Sequence, residues 1–125
     1  MSSRIYIVKL SAVILVLTTV FITGCGNGGM KLGSEPPVDT EKVSLEKIYS
    51  EPQKYNAKNV IVEGVISGQC ASLCEFFLKS GRHKATIFPR GFKFPKLPKG
   101  KPVSVFAEVT AGERVVITAL GIEIK

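Results

Sequence analysis

The chain has 125 residues, 17 basic against 10 acidic side chains, a formal charge of +7 and no tryptophan. That length holds one small domain, and the plentiful Val, Ile, Leu and Phe exclude a wholly disordered chain. One histidine, one aspartate (Asp39) and scattered glutamates leave little for acid–base or nucleophilic chemistry, so neither an enzyme nor a cofactor is expected.

At the N-terminus, Arg4 and Lys9 precede a mostly apolar run from Leu10 to Ile22. This is the shape of a secretory signal. The run is shorter than the roughly 20 apolar residues that span a bilayer. It ends in Ile22-Thr23-Gly24-Cys25, which resembles the lipobox of bacterial lipoproteins. The resemblance implies that residues 1–24 are a signal peptide and that Cys25 carries a palmitate-bearing diacylglyceryl group. The alternative is an uncleaved anchor helix with an incidental cysteine. Either way the expected site is extracytoplasmic, at the cell membrane or outer membrane, with membrane lipid as the first partner. The residue after the lipobox is Gly26 and not the Asp that commonly retains lipoproteins at an inner membrane, which favours the outer one. Loss of Arg4 and Lys9 lowers the formal charge by two, to +5, and lipidation of Cys25 leaves Cys70 and Cys74 as a pair.

Residues 25–42 read as a lipidated cysteine and a flexible tether. The segment holds glycines, the Pro36-Pro37 pair and mixed charges without apolar periodicity. A random coil of about 17 residues would hold the domain roughly 20–25 Å from its anchor. The domain itself is expected over residues 43–125. Ser44 is placed to cap a short helix bearing Leu45, Ile48 and Tyr49, which Pro52 ends.

Strands follow. Val60 to Ile66 alternate around Gly64, and Glu75 to Lys79 with Lys84 to Phe88 flank the turn signal Ser80-Gly81. The prolines of residues 89–100 exclude regular structure there. Val103 to Thr110 alternate cleanly. Val115 to Ile124 are apolar on both alternating sets, with Gly121 marking a candidate bulge. Five short strands with tight turns and no long helix predict a mainly β fold, a small five-stranded barrel closed to hide its edges, with one short N-terminal helix. An SH3-like barrel and an open sheet packed on the helix are the alternatives.

The run Val43-Ser44-Leu45-x-x-Ile48-Tyr49-x-x-Pro52-x-x-Tyr55-x-x-Lys58-x-Val60-x-Val62-x-Gly64-Val65-Ile66 resembles the opening of single OB-fold domains in bacterial envelope lipoproteins. Those domains are distant relatives of the anticodon-binding OB-fold. The cysteine turn, the Phe-rich second strand and Gly100-Lys101-Pro102-Val103-Ser104-Val105 match the same group, although Leu73 and Glu75 flank Cys74 where a glycine and an aromatic are usual. The resemblance covers residues 43 to 125. It implies an OB-fold and no particular ligand, because such domains serve many functions.

Two features carry candidate chemistry. Cys70-Ala71-Ser72-Leu73-Cys74 lies between the first two strands, and an oxidising compartment makes a disulfide the expected state, worth about 2 kcal/mol for so small a ring. A metal site using Cys70, Cys74 and His83, a thiol oxidoreductase, and two inert thiols are the alternatives. The second feature is basic. Lys79, Arg82, Lys84, Arg90, Lys93, Lys96, Lys99 and Lys101 follow one another with no acidic residue between, interleaved with Phe88, Phe92 and Phe94. Cations among aromatics suit single-stranded nucleic acid. An exported, lipid-anchored chain meets little of it, so anionic lipid head groups, an envelope polymer or another envelope protein are the expected partners. The alternative is a solvated loop whose phenylalanines plug the barrel. The function expected is that of a non-catalytic binding or interaction module.

Overall fold

The computed structural model describes residues 29–125, so the signal peptide and Cys25 lie outside the described residues. Helix α1 (Leu45–Ser50) starts where the Lys47 amide donates to Ser44 Oγ at 3.2 Å. Pro52 does more than end it. Its fixed φ also suits the first position of a second short helix, α2 (Pro52–Tyr55). Leu45, Ile48 and Tyr55 are buried, so both helices owe their stability to packing rather than length.

Five strands form the body: β2 (Asn59–Gln69), β3 (Phe76–Ser80), β4 (His83–Pro89), β5 (Pro102–Ala111) and β6 (Val115–Ile124). β2 pairs antiparallel with β3 and with β5, β3 pairs with β4, and β5 pairs with β6. A short parallel pairing of β4 with β6, from Ile87↔Ile117 to Pro89↔Ala119, closes the circle. The result is a mainly β, five-stranded OB-fold-like barrel, as the sequence predicts. Inward residues such as Val62, Ile66, Phe76, Leu78, Ile87, Val105, Val109 and Ile117 fill it. β2 passes from β5 to β3 around Val65, next to Gly64, where a Cβ would stand 2.6 Å from the Lys79 carbonyl oxygen; only glycine lets β3 pass so close. The ambiguous last strand resolves by a bulge. Phe106 pairs with Gly121 and Ala107 with Ala119, so Leu120 is skipped and the inward set switches from Ile117 and Ala119 to Ile122 and Ile124.

The two barrel ends are closed differently. At one end lie the helices, with the Tyr49 hydroxyl donating to the Lys84 carbonyl at 2.9 Å and the Ala57 amide to the Val109 carbonyl at 2.8 Å. At the other lies the loop of residues 90–101. Phe94 and Leu97 are buried in it, and Phe94 stands edge-on to both Phe76 and Phe92, at centroid distances of 5.1 and 5.2 Å. Gln69 fixes this loop twice, donating from Nε2 to the Pro95 carbonyl and accepting at Oε1 from the Leu97 amide, both at 2.8 Å.

The expected tether needs correction. Residues Met30–Gly33 form a strand, β1, antiparallel to the end of β6 from Met30↔Ile124 to Gly33↔Gly121. Further on, Ile61 donates its amide to the Glu41 carbonyl at 2.8 Å, and Val43 donates to the Ile61 carbonyl at 2.9 Å. The physical reason is edge coverage. β6 outruns its β4 partner after Ala119, which leaves a row of backbone groups for β1 to satisfy. Gly121 allows the approach, because a Cβ there would overlap the Ser34 carbonyl. Phe106 supplies the apolar incentive: it points out of the barrel, yet is only 8% exposed and shares a groove of about 350 Å³ with Leu32, Ser34, Pro36 and Ile61.

Candidate binding surface and cysteine turn

Strand alternation sends Phe76 and Leu78 inward and Phe77 and Lys79 outward on β3; on β4 it sends Ala85 and Ile87 inward and Lys84, Thr86 and Phe88 outward. The outer face of the β2–β4 sheet therefore carries Val65, Phe77 and Phe88, each more than a third exposed, beside two lysines. Lys79 and Lys84 are directly opposed across the ladder, and neither takes part in an ion pair among the described residues. Like charges so placed repel, which is destabilising. Phe77 packs over Gly68, where a Cβ would stand 3.3 Å from its ring, and the Ser67 hydroxyl donates to the Phe77 carbonyl at 3.1 Å. Ser67, Phe77, Lys84, Ala85 and Thr86 line a shallow depression of about 280 Å³ on this face.

The other basic residues separate by position. Arg82 is exposed at the β3–β4 turn, beside His83. Arg90 is engaged, 3.1 Å from Glu108. Lys93, Lys96 and Lys99 are exposed on the loop that closes the barrel, but its rings are not free. Phe94 is buried and Phe92 is half-buried against it, so both act as the plug and neither offers an open stacking surface. Phe88, which the sequence places among the basic residues without singling it out, is the ring left open.

The cysteine turn is tightly built. The Cys70 amide donates to the Glu75 carbonyl at 3.1 Å, the Leu73 amide donates to the Cys70 carbonyl at 2.9 Å, and Leu73, the last residue of that turn, sits at φ +61°, a left-handed conformation uncommon for a residue other than glycine. No disulfide joins Cys70 and Cys74, against the expectation from compartment. The Ser72 hydroxyl stands between the sulfurs, 3.2 Å from Cys70 Sγ and 3.1 Å from Cys74 Sγ. Hydrogen bonds from the Ser72 side chain and amide, and from Cys74, hold the Cys70 thiol below its ordinary pKa, against the opposing charge of Glu75.

The metal alternative also changes its members. The sulfurs and a Glu75 carboxylate oxygen lie within 4.8 Å of one another. His83 does not join them. It pairs with Ser80 at the far end of the hairpin and lies beside Tyr49, the rings tilted by 40° with a centroid distance of 5.8 Å. In the sequence, a strand-edge carboxylate one position after a cysteine reads as a solvated charge, and it is the turn of residues 70–75 that brings Glu75 to the thiols. Any cation here would have two thiolates and one carboxylate, a set that suits zinc with an open fourth position.

Among the described residues no helix is long and apolar enough to cross a membrane. No family model matches the sequence, and no curated protein matches it. Among solved structures, the fold is similar to a chain described as an aspartyl-tRNA synthetase from Leishmania major Friedlin, with a TM-score of 0.57 and 12% identity over 74% of this chain. This chain spans only 22% of that one. Such a likeness speaks to fold alone, and it agrees with the closed barrel: the chain carries an OB-fold-like domain.

Proposed function

We propose that the chain is a lipid-anchored extracytoplasmic lipoprotein, attached through Cys25, whose barrel is a non-catalytic binding module for a phosphate-rich anionic envelope polymer. The observation that carries the ligand class is the Lys79–Lys84 opposition on a face that also exposes Phe77 and Phe88. A fold keeps two unneutralised cations face to face at a cost, and an anion bound across them would reverse its sign. The open rings give a sugar or glycerol backbone an apolar surface to lie on. The anchor half of the reading rests on the lipobox and the short apolar leader before it.

The test is binding of residues 26–125 to poly(glycerol phosphate) across a salt series. Binding that weakens with salt, and that loses both affinity and salt dependence in Lys79→Gln/Lys84→Gln, is the expected result. Equal binding by the double variant would sink the assignment of this face. A single-stranded oligonucleotide bound far more tightly than the polymer, with base preference, would move the reading to nucleic acid.

A further inference from the structure

We infer that the barrel end closed by residues 90–101 lies flat against the anionic leaflet, leaving the helix end distal and the β2–β4 face accessible from the side. This rests on the lipid anchor proposed above and concerns a different surface from the polymer-binding face. Three independent placements converge on it. First, the fixed part of the chain begins at Met30, whose partner Ile124 ends β6. β6 runs from the helix end, where Val115 pairs with Ala111, to the loop end, where Ile124 pairs with Val103. The chain therefore enters the domain at the loop end.

Second, the reach is short. From Cys25 to Met30 there are five residue steps, at most about 17 Å fully extended. A tether that ran to residue 42 would leave the barrel free to turn over; one that stops at Met30 keeps the loop end of the barrel within that distance of the leaflet. Third, the end brought down is the basic one. Lys93, Lys96, Lys99 and Lys101 are exposed on the closing loop, and Lys125, also exposed, is tied to it by its amide, which donates to the Pro102 carbonyl at 3.0 Å. Residues 90–101 contain no carboxylate. Acidic side chains near this end are Glu75, in the cysteine turn, and Glu123 and Glu63, which flank Ser104 in one cross-strand row, with Glu63 already paired to Lys42 and feeling the charge of Lys125; the five lysines outnumber these three. Anionic head groups within a Debye length, about 8 Å at physiological salt, would attract such a cluster. The rings of the loop face the core, so the contact is an electrostatic one at head-group depth without insertion.

The chain lacks tryptophan, which makes a direct test possible. Full-length chain, processed in a bacterial host and reconstituted in phosphatidylglycerol vesicles carrying a lipid with a nitroxide on its head group, would hold one introduced tryptophan: Lys96→Trp or Lys99→Trp at the loop end, or Arg114→Trp in the exposed β5–β6 turn at the helix end. Mass spectrometry of the N-terminal peptide first establishes acylation of Cys25. The expected result is strong quenching by the head-group label for both loop-end probes and none for Arg114→Trp. Molar salt should relieve the quenching while the chain stays on the vesicle. An acylated chain with unquenched loop-end probes, or with Arg114→Trp quenched equally, overturns the orientation. A chain without acylation overturns the anchor and this inference with it.

Discussion

Phe94 offers the sharpest separation of structural from ligand-facing rings. In the wild-type barrel it is 4% exposed and meets Phe76 and Phe92 edge-on. Burying a ring of this kind hides about 150–250 Å², which at ~25 cal/mol/Å² amounts to about 4–6 kcal/mol as an upper bound. Phe→Ala substitutions in cores cost about 3–5 kcal/mol, depending on how far the site collapses. The 90–101 loop is a surface segment held by the two Gln69 hydrogen bonds, and it can settle into part of the space, so Phe94→Ala should cost about 3 kcal/mol. For a domain of 60–100 residues that corresponds to a fall in Tm of about 12–24 °C. Phe88→Ala removes a ring that is 41% exposed and should leave Tm within a few degrees. Differential scanning calorimetry on residues 26–125 measures both, and poly(glycerol phosphate) binding below both transitions completes the comparison. The expected pattern is a double dissociation: Phe94→Ala loses stability and keeps binding, while Phe88→Ala keeps stability and loses binding. A Phe94→Ala variant that melts like the wild type, or that binds less while remaining folded, would refute the plug.

Further outcomes follow from other contacts. Lys84→Glu turns the repulsion across from Lys79 into an attraction, so it should raise stability by about 0.2–1 kcal/mol in thermal melts while reducing polyanion binding, a trade expected only if the lysine pair serves a ligand. Gly121→Ala places a Cβ against the Ser34 carbonyl and should cost about 1–3 kcal/mol, read as loss of amide-exchange protection at Leu32 with the β2–β5 amides still protected. Lys42 lies 3.0 Å from Glu63 and lowers its carboxyl pKa by a hydrogen bond, the largest cause of that shift. A depressed carboxyl pKa contributes stability above the ordinary value that is lost as pH falls through the depressed one. Lys42→Met should therefore raise the Glu63 titration midpoint seen by carbon NMR and remove about 0.2–0.5 kcal/mol at neutral pH, the pair being solvent-screened, with no difference left in strong acid.

What could be read in the sequence were the features with local periodicity. β5 shows its faces by strict alternation, the β3–β4 hairpin by Ser80-Gly81 between two strand-like runs, and the close approach of β3 to β2 by a glycine among β-branched residues. Pro52 was legible as a stop but not as a start, because a proline's fixed φ serves either role and only the following packing of Tyr55 decides. β1 had no periodic signal. Its four residues are held by backbone pairing and by the glycine at 121, a contact between positions far apart in sequence. The outward Phe106 was its trace, one bulky ring on the solvent side of an otherwise tidy strand. The site divided in the same way. Lys79, Lys84 and Phe77 follow from strand alternation, whereas the burial of Phe94 in a proline-broken loop and the replacement of His83 by Glu75 near the thiols depend on chain reversals that spacing does not encode.

The strap formed by residues 30–43 also decides how the domain can be handled. A chain begun at Val43, the natural boundary from sequence, would lack β1 and the partner that Glu41 gives Ile61, and would uncover Phe106. The second half of β6 would then present open backbone beside an exposed aromatic, the combination by which one copy recruits a strand from the next. Such a fragment would fold its barrel and self-associate through it. A dimer or larger species seen with that fragment would be a product of truncation, and the monomer–oligomer question belongs to chains that retain Met30.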